Sequence, residues 1–97
     1  MNRLIIDPER LDDMSNCLKA INNPVRIAIL EMLQDKDMAS VGEIQVFLNM
    51  GQPSVSNHLK ILKEHKVISS KRIGKKVYYC LKKQKLENII DWINKYE

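Results

Sequence analysis

The side chains best suited to chemistry in this sequence are polar and cationic, and they lie close together between residues 52 and 76. Gln52, Ser54, Ser56, Asn57 and His58 fall within seven residues, at the start of a segment whose Val55, Leu59 and Leu62 recur at helical spacing. Outward groups of this size can hydrogen-bond to base edges and phosphate oxygens without burying a charge. Acids are absent from residues 51–63, where phosphate would repel them, and Lys60 and Lys63 lie further along the same helix. The helix's positive N-terminal end also suits a phosphate oxygen. Lys71-Arg72-Ile73-Gly74-Lys75-Lys76 then puts four cations in six residues. Cations at a hairpin tip can track a phosphate backbone or reach a minor groove. They also protect an exposed strand edge, so the run alone leaves both uses open.

Charge is distributed in blocks. Residues 60–85 hold ten of the sixteen Lys and Arg residues and one acid, Glu64, a net of +9. The preceding 59 residues carry a net of −3 and the final twelve a net of −2. A cationic block between acidic flanks points to a polyanion, although a solvated lysine-rich face has the same composition. At 97 residues the chain is one domain, and it contains no apolar run long enough to span a bilayer. The first eight residues do not read as a secretory signal, because their apolar part is three residues long and ends in Asp7-Pro8. Two cysteines are too few for a disulfide framework, and the expected location is the cytoplasm.

The elements that must position the polar series follow from caps and periodicity. Asp7-Pro8-Glu9 opens a helix over residues 8–22, with Leu11, Met14, Leu18 and Ile21 on one face. Asn23-Pro24 starts a second helix whose residues 25–33 are apolar nearly all round, which predicts burial. Residues 34–39 read as a polar connection. Ser40 and Glu43 form a capping-box pattern for a short third helix, with Ile44, Phe47 and Leu48 as its inner face. Asn49-Met50-Gly51 is a tight turn into the helix that begins at Gln52-Pro53 and runs to about Lys66. A strand over 67–73, a turn at Gly74-Lys75-Lys76 and a strand over 77–81 make a hairpin, and a last helix covers 85–96.

The fold class is therefore mainly α (α+β): four helices, a hairpin wing and a C-terminal helix, with a helix-turn-helix in the middle. Such a unit can lay its second helix in the major groove. Both terminal helices, 8–22 and 85–96, have apolar faces beyond what the central unit needs. Either they pack on their own domain or they form a dimer interface from Leu11, Met14, Leu18, Leu86, Ile89, Ile90, Trp92, Ile93 and Tyr96.

Three segments also resemble a known family. Asn23-Pro24-Val25-Arg26-Ile27-Ala28-Ile29-Leu30, the run from Gly51 to Leu62, and Gly74-Lys75-Lys76-Val77-Tyr78-Tyr79-Cys80-Leu81 are similar to segments of ArsR/SmtB-type bacterial repressors. The likeness covers about residues 18–81. It implies a homodimeric winged helix-turn-helix repressor whose terminal helices pair across a two-fold axis. It implies binding to duplex DNA with an imperfect inverted repeat, and release by a small effector of unknown identity. By match to the motif, Gln52, Ser54, Ser56, Asn57 and His58 carry DNA contacts. Gly51 replaces the usual Ser, and glycine is a tolerable cap there.

Many relatives of this type sense metals. The family's cysteine-bearing run corresponds here to Ser40 and Gly42, and the last helix offers Glu87, Asp91 and Glu97 without histidine. Zinc and softer metals want imidazole or thiolate, so no metal site and no cofactor is expected. His58 and His65 stand seven residues apart on one helix, about 10 Å by the helical rise, too far to share an ion. Cys17 and Cys80 leave two readings, a thiol-based redox or sulfur-responsive switch or two inert thiols. A winged-helix module that docks an acidic protein is a further alternative. No paired carboxylates, nucleophile–base pair, phosphate loop or metal triad is visible, so no enzyme is expected.

Overall fold

The computed structural model describes residues 7–95; residues 1–6, Tyr96 and Glu97 lie outside them. The elements are α1 (Pro8–Ile21), α2 (Pro24–Lys36), β1 (Ala39–Ser40), α3 (Val41–Leu48), α4 (Gln52–Glu64), β2 (Ile68–Ile73), β3 (Lys76–Leu81) and α5 (Lys83–Lys95). The caps form where the sequence places them. Asp7 accepts from the Glu9 amide, and Asn23 accepts from the amides of Val25 and Arg26. Each satisfies amide N–H groups that a helix start otherwise leaves unpaired.

Ser40 does more than the capping pattern predicts. Its Oγ accepts from the Glu43 amide at 3.2 Å while the Glu43 carboxylate accepts from the Ser40 amide at 3.0 Å. The same residue pairs with Tyr78 of β3, so residues 39–40 form a short strand rather than the end of a polar connection. The sheet order is β1-β3-β2, all antiparallel. Ser40 therefore joins the start of the helix-turn-helix to the wing. Lys36 hydrogen-bonds Glu43 at 2.6 Å and, with the Ser40 backbone and hydroxyl, holds its carboxyl down to about 2. The stability this confers is complete above pH 4.5 and is lost as the pH falls toward 2, because the unfolded carboxyl takes up its proton first. Replacing Ser40 by alanine is expected to cost about 1 kcal/mol, the usual loss on removing a helix cap. A thermal melt checks this, and an unchanged midpoint would show that the cap carries no stability.

The core gathers Ile29 and Leu33 of α2, Ile44 of α3, Val55, Leu59 and Leu62 of α4, and Val67 and Ile68 at the start of β2. Met14 and Cys17 of α1, with Ile89 of α5, close it from the other side. Three expectations change. Phe47 does not face inward: it is 56 % exposed beside Val46, and α3 turns Val41, Ile44 and Leu48 to the protein. Ile27 is likewise 40 % exposed, so α2 is not buried all round. Met14 and Ile89, expected at a dimer face, are only 4 % and 2 % exposed, so the protomer's own core leaves almost nothing of them for a partner. The remaining differences are small. α5 begins at Lys83, and the hairpin turn is the two residues Gly74-Lys75, closed by the Ile73–Lys76 pair. Gly74 has φ 63, a conformation glycine adopts without penalty at the first central position of a hairpin turn.

Candidate nucleic-acid interface

α4 presents the polar series. Its buried stripe is Val55, Leu59 and Leu62. At about 100° per residue, Asn57 and Lys60 point opposite that stripe, Gln52, Ser56 and Lys63 fan to one side, and Ser54 and His58 fan to the other. Gln52, Ser54, Asn57, Lys60 and Lys63 are exposed, while Ser56 and His58 are half-buried at the flanks. The turn before α4 is set by Asn49, whose left-handed φ of 52 reverses the chain. Asparagine tolerates that conformation better than most residues. Gly51 supplies no side-chain cap, which leaves first-turn amides without a side-chain acceptor at an end already suited to phosphate.

The wing stands beside this helix. Lys71, Arg72, Lys75 and Lys76 are all exposed, and Arg72 Nε donates to the Gly74 carbonyl at 3.3 Å, which stiffens the tip. Lys63 Nζ donates to Ser70 Oγ at 2.7 Å and ties the end of α4 to β2. α4 is thus linked to the wing through Lys63–Ser70, and the start of the helix-turn-helix through β1. Not all of the cationic block faces this way. Lys85 pairs with Asp13 of α1 at 2.9 Å, and Lys83 lies 4.0 Å from Asp37. Lys85 thus ties α5 to α1, while Lys83–Asp37 is a loose, solvent-exposed contact.

Sequence reasoning assigned no role to Arg26, and the geometry does. It reaches from α2 to α4, where Nη1 donates to His58 Nδ1 at 3.3 Å while Nε donates to the Ala20 carbonyl. A guanidinium has no acceptor. The His58 nitrogen facing it must therefore be unprotonated, which leaves the ring neutral with its proton on Nε2, the side away from Arg26. Burial first, and the Arg26 charge second, hold the His58 imidazolium below its ordinary 6.5. The sequence signal was present: Arg26 is the one cation inside residues 25–33, and a charge in an apolar helix needs a partner. His58 is expected to titrate below 6.5 in an NMR pH series, and Arg26→Gln is expected to move it upward. The associated stability is complete above pH 6.5 and falls as the pH drops through the lowered value, since the unfolded ring binds its proton first. A His58 that titrates at 6.5 or above in the parent chain would contradict the contact.

Both thiols are free, and each has its own partner. Cys17 is fully buried and its Sγ lies 3.6 Å from the His65 carbonyl, while Cys80 Sγ is 3.2 Å from Ser69 Oγ. Lys85 lies beside Cys17, a neighbour the sequence did not reveal, but burial outweighs it and pushes the thiol up. Among the described residues no group of three or more His, Cys, Asp or Glu is placed to hold a metal, and no helix is long and apolar enough to cross a membrane.

Comparison with known proteins places this geometry. A family model described as "Bacterial regulatory protein, arsR family" matches residues 23–70. The transcriptional repressor SdpR of Bacillus subtilis (strain 168) is 42 % identical over 80 residues, covering 82 % of this chain and 88 % of SdpR. The crystal structure of the transcriptional repressor PagR of Bacillus anthracis is 30 % identical with a TM-score of 0.76, over 90 % of this chain and 99 % of that one. The solution structure of the homodimeric winged helix-turn-helix DNA-binding domain of Mb0332 from Mycobacterium bovis shares the fold, with a TM-score of 0.77 at 23 % identity over 90 % of this chain and 80 % of that one.

Proposed function

This chain belongs to the ArsR family of bacterial regulatory proteins, DNA-binding transcriptional regulators, and from that premise we propose a homodimeric repressor whose two α4 helices read an imperfect inverted repeat in duplex DNA. One observation carries the reading: an exposed, acid-free helix surface, Gln52 to Lys63, is fastened to a hairpin with four exposed cations. Gln52, Asn57 and Ser54 face the base edges, and an Asn or Gln side chain can pair with adenine through two hydrogen bonds. His58 donates from Nε2, Ser56 and Lys60 reach phosphates, and Lys63 acts from its place against Ser70. Lys71, Arg72, Lys75 and Lys76 follow the backbone beside the groove. SdpR and PagR are named as repressors, which supports repression as the outcome of binding here.

The dimer forms through α1 and α5. Lys85–Asp13 holds the two helices together, and Leu11 and Ile90 are 37 % and 54 % exposed in the protomer. Leu18, Leu86, Trp92 and Ile93 pack only partly against the core and border them. The apolar positions of α5 span an arc wider than one protomer covers, which supports a second copy as the occupant. A small effector releases the DNA. A redox trigger that needs Cys17 gains no support, because that thiol is fully buried and its raised pKa yields little thiolate. A protein-docking role for α4 gains none either, since its outward residues are polar.

The test compares two substitutions by fluorescence anisotropy on matched and mismatched duplexes. Asn57→Ala is expected to shrink the difference between them by about 1–3 kcal/mol, while Lys75→Ala weakens both alike. Equal losses on both duplexes for Asn57→Ala would remove α4 from base reading.

A further inference from the structure

Val46 and Phe47 stand 83 % and 56 % exposed on α3, the first helix of the helix-turn-helix. Two adjacent apolar side chains in water are a cost that the fold does not require, because α3 already buries Ile44. They line a cavity of about 540 Å³ between α2 and α3, walled on the α2 side by Met32. That size lies within the usual range for sites that take small organic ligands, about 300–1,000 Å³.

The rim chooses the occupant. Glu31, Asp35 and Glu43 edge the cavity, with Lys36 as the one cation. Lys36 is committed to Glu43 at 2.6 Å. Glu31 and Asp35 have no ion-pair partner among the described residues. They stand four apart on α2, the spacing at which like charges on a helix repel. This face is not turned to DNA, because three carboxylates would meet phosphate. It is not the α1–α5 face either. An apolar body against Val46, Phe47 and Met32 with a positive nitrogen between Glu31 and Asp35 suits both the floor and the open part of the rim, whereas an anion of the same shape would meet those two carboxylates and find the one cation, Lys36, already paired.

We propose that the α2–α3 cavity binds a small amphipathic cation, a ring or chain carrying one basic nitrogen, and that its occupancy weakens DNA binding. The regulatory half rests on the repressor reading above; the binding half does not. Coupling runs through α3. Ser40 caps that helix and pairs with Tyr78 of the wing, and α4 follows α3 after one tight turn. A ligand that spreads α3 from α2 displaces α4 relative to β3, so helix and wing no longer meet the duplex together. By linkage, DNA must weaken the ligand by the same factor.

The test uses the ¹⁵N-labelled full chain with 4-phenylbutylamine, and with 4-phenylbutyrate as a probe of the same shape and opposite charge. The amine is expected to shift the amides of Glu31, Asp35, Val46 and Phe47 saturably and to bind about tenfold more tightly than the acid. The double variant Glu31→Gln, Asp35→Asn is expected to abolish that preference, and Phe47→Ala to weaken both probes; all three side chains are exposed, so a folded spectrum is retained. Equal binding of the two probes, shifts centred elsewhere, or no saturation at millimolar amine overturns the site. In parallel, saturating amine is expected to lower duplex affinity severalfold in the parent chain and not in Phe47→Ala. An unchanged affinity overturns the regulation. Amine binding by a chain that ignores duplex DNA would sink the repressor reading and leave the site standing.

Discussion

Ile90→Glu is expected to split the proposed dimer and to weaken binding to a two-half-site duplex by about 10²–10⁴-fold, the usual gain from joining two binding modules. Ile90 is 54 % exposed in the protomer, so the protomer loses little by the change. Surface substitutions away from special features usually shift stability by no more than about 0.5 kcal/mol. In the pair the outcome differs. A two-fold interface repeats each residue, so one substitution brings a carboxylate to the closed apolar face from both sides. Each must be desolvated when that face closes, which is costly for a carboxylate. Sedimentation equilibrium and anisotropy on the same samples check the two halves of the expectation. A variant that stays dimeric and binds as the parent does would move the interface away from α5.

Raising salt from about 50 to 200 mM is expected to weaken duplex binding by about 10³–10⁵-fold, the loss found for six to ten phosphate contacts. The count comes from exposed side chains. Lys60, Lys71, Arg72, Lys75 and Lys76 give five cations per protomer, and two protomers give ten. Lys83 and Lys85 are left out because they pair with Asp37 and Asp13. The double variant Lys75→Ala, Lys76→Ala removes four of the ten, and each lost phosphate contact lowers the log–log salt slope by about 0.9. A slope that the double variant leaves intact would place the wing away from the backbone.

Much of this was legible because it is local. Asp7, Asn23 and the Ser40–Glu43 box each act within three residues of themselves, so short sequence patterns announce the helix starts. The hairpin and α4 are similarly written in alternation and helical spacing. What stayed hidden joins distant parts of the chain. β1 exists only because Ala39 and Ser40 meet Tyr79 and Tyr78. Arg26 meets His58 across 32 positions, and Lys85 meets Asp13 across 72. Phe47 shows a subtler limit. From Ile44, positions 47 and 48 both continue a helical stripe, and so does Val41 in the other direction. Only packing against α4 and the sheet decides that 41, 44 and 48 turn inward, which leaves Phe47 beside Val46 in water.

The candidate site divides in the same way. The exposure of its polar and cationic members could be expected from the sequence, because such side chains need no tertiary context to stay in water. The apolar faces of the terminal helices were harder to read, since apolar residues there serve either the core or a partner. Met14 and Ile89 went to the core, and Leu11 and Ile90 stayed outside.

In the proposed complex, two copies of one chain present two α4 helices to one duplex. The most direct measurement is the mass of the protein–DNA complex at low ionic strength, on duplexes enriched by the protein from a random pool and then sequenced. Two chains per duplex are expected, with two inverted half-sites whose centres are about 34–36 Å apart, or a multiple of that turn. One chain per duplex, or an enriched pool with no two-fold repeat, would contradict it.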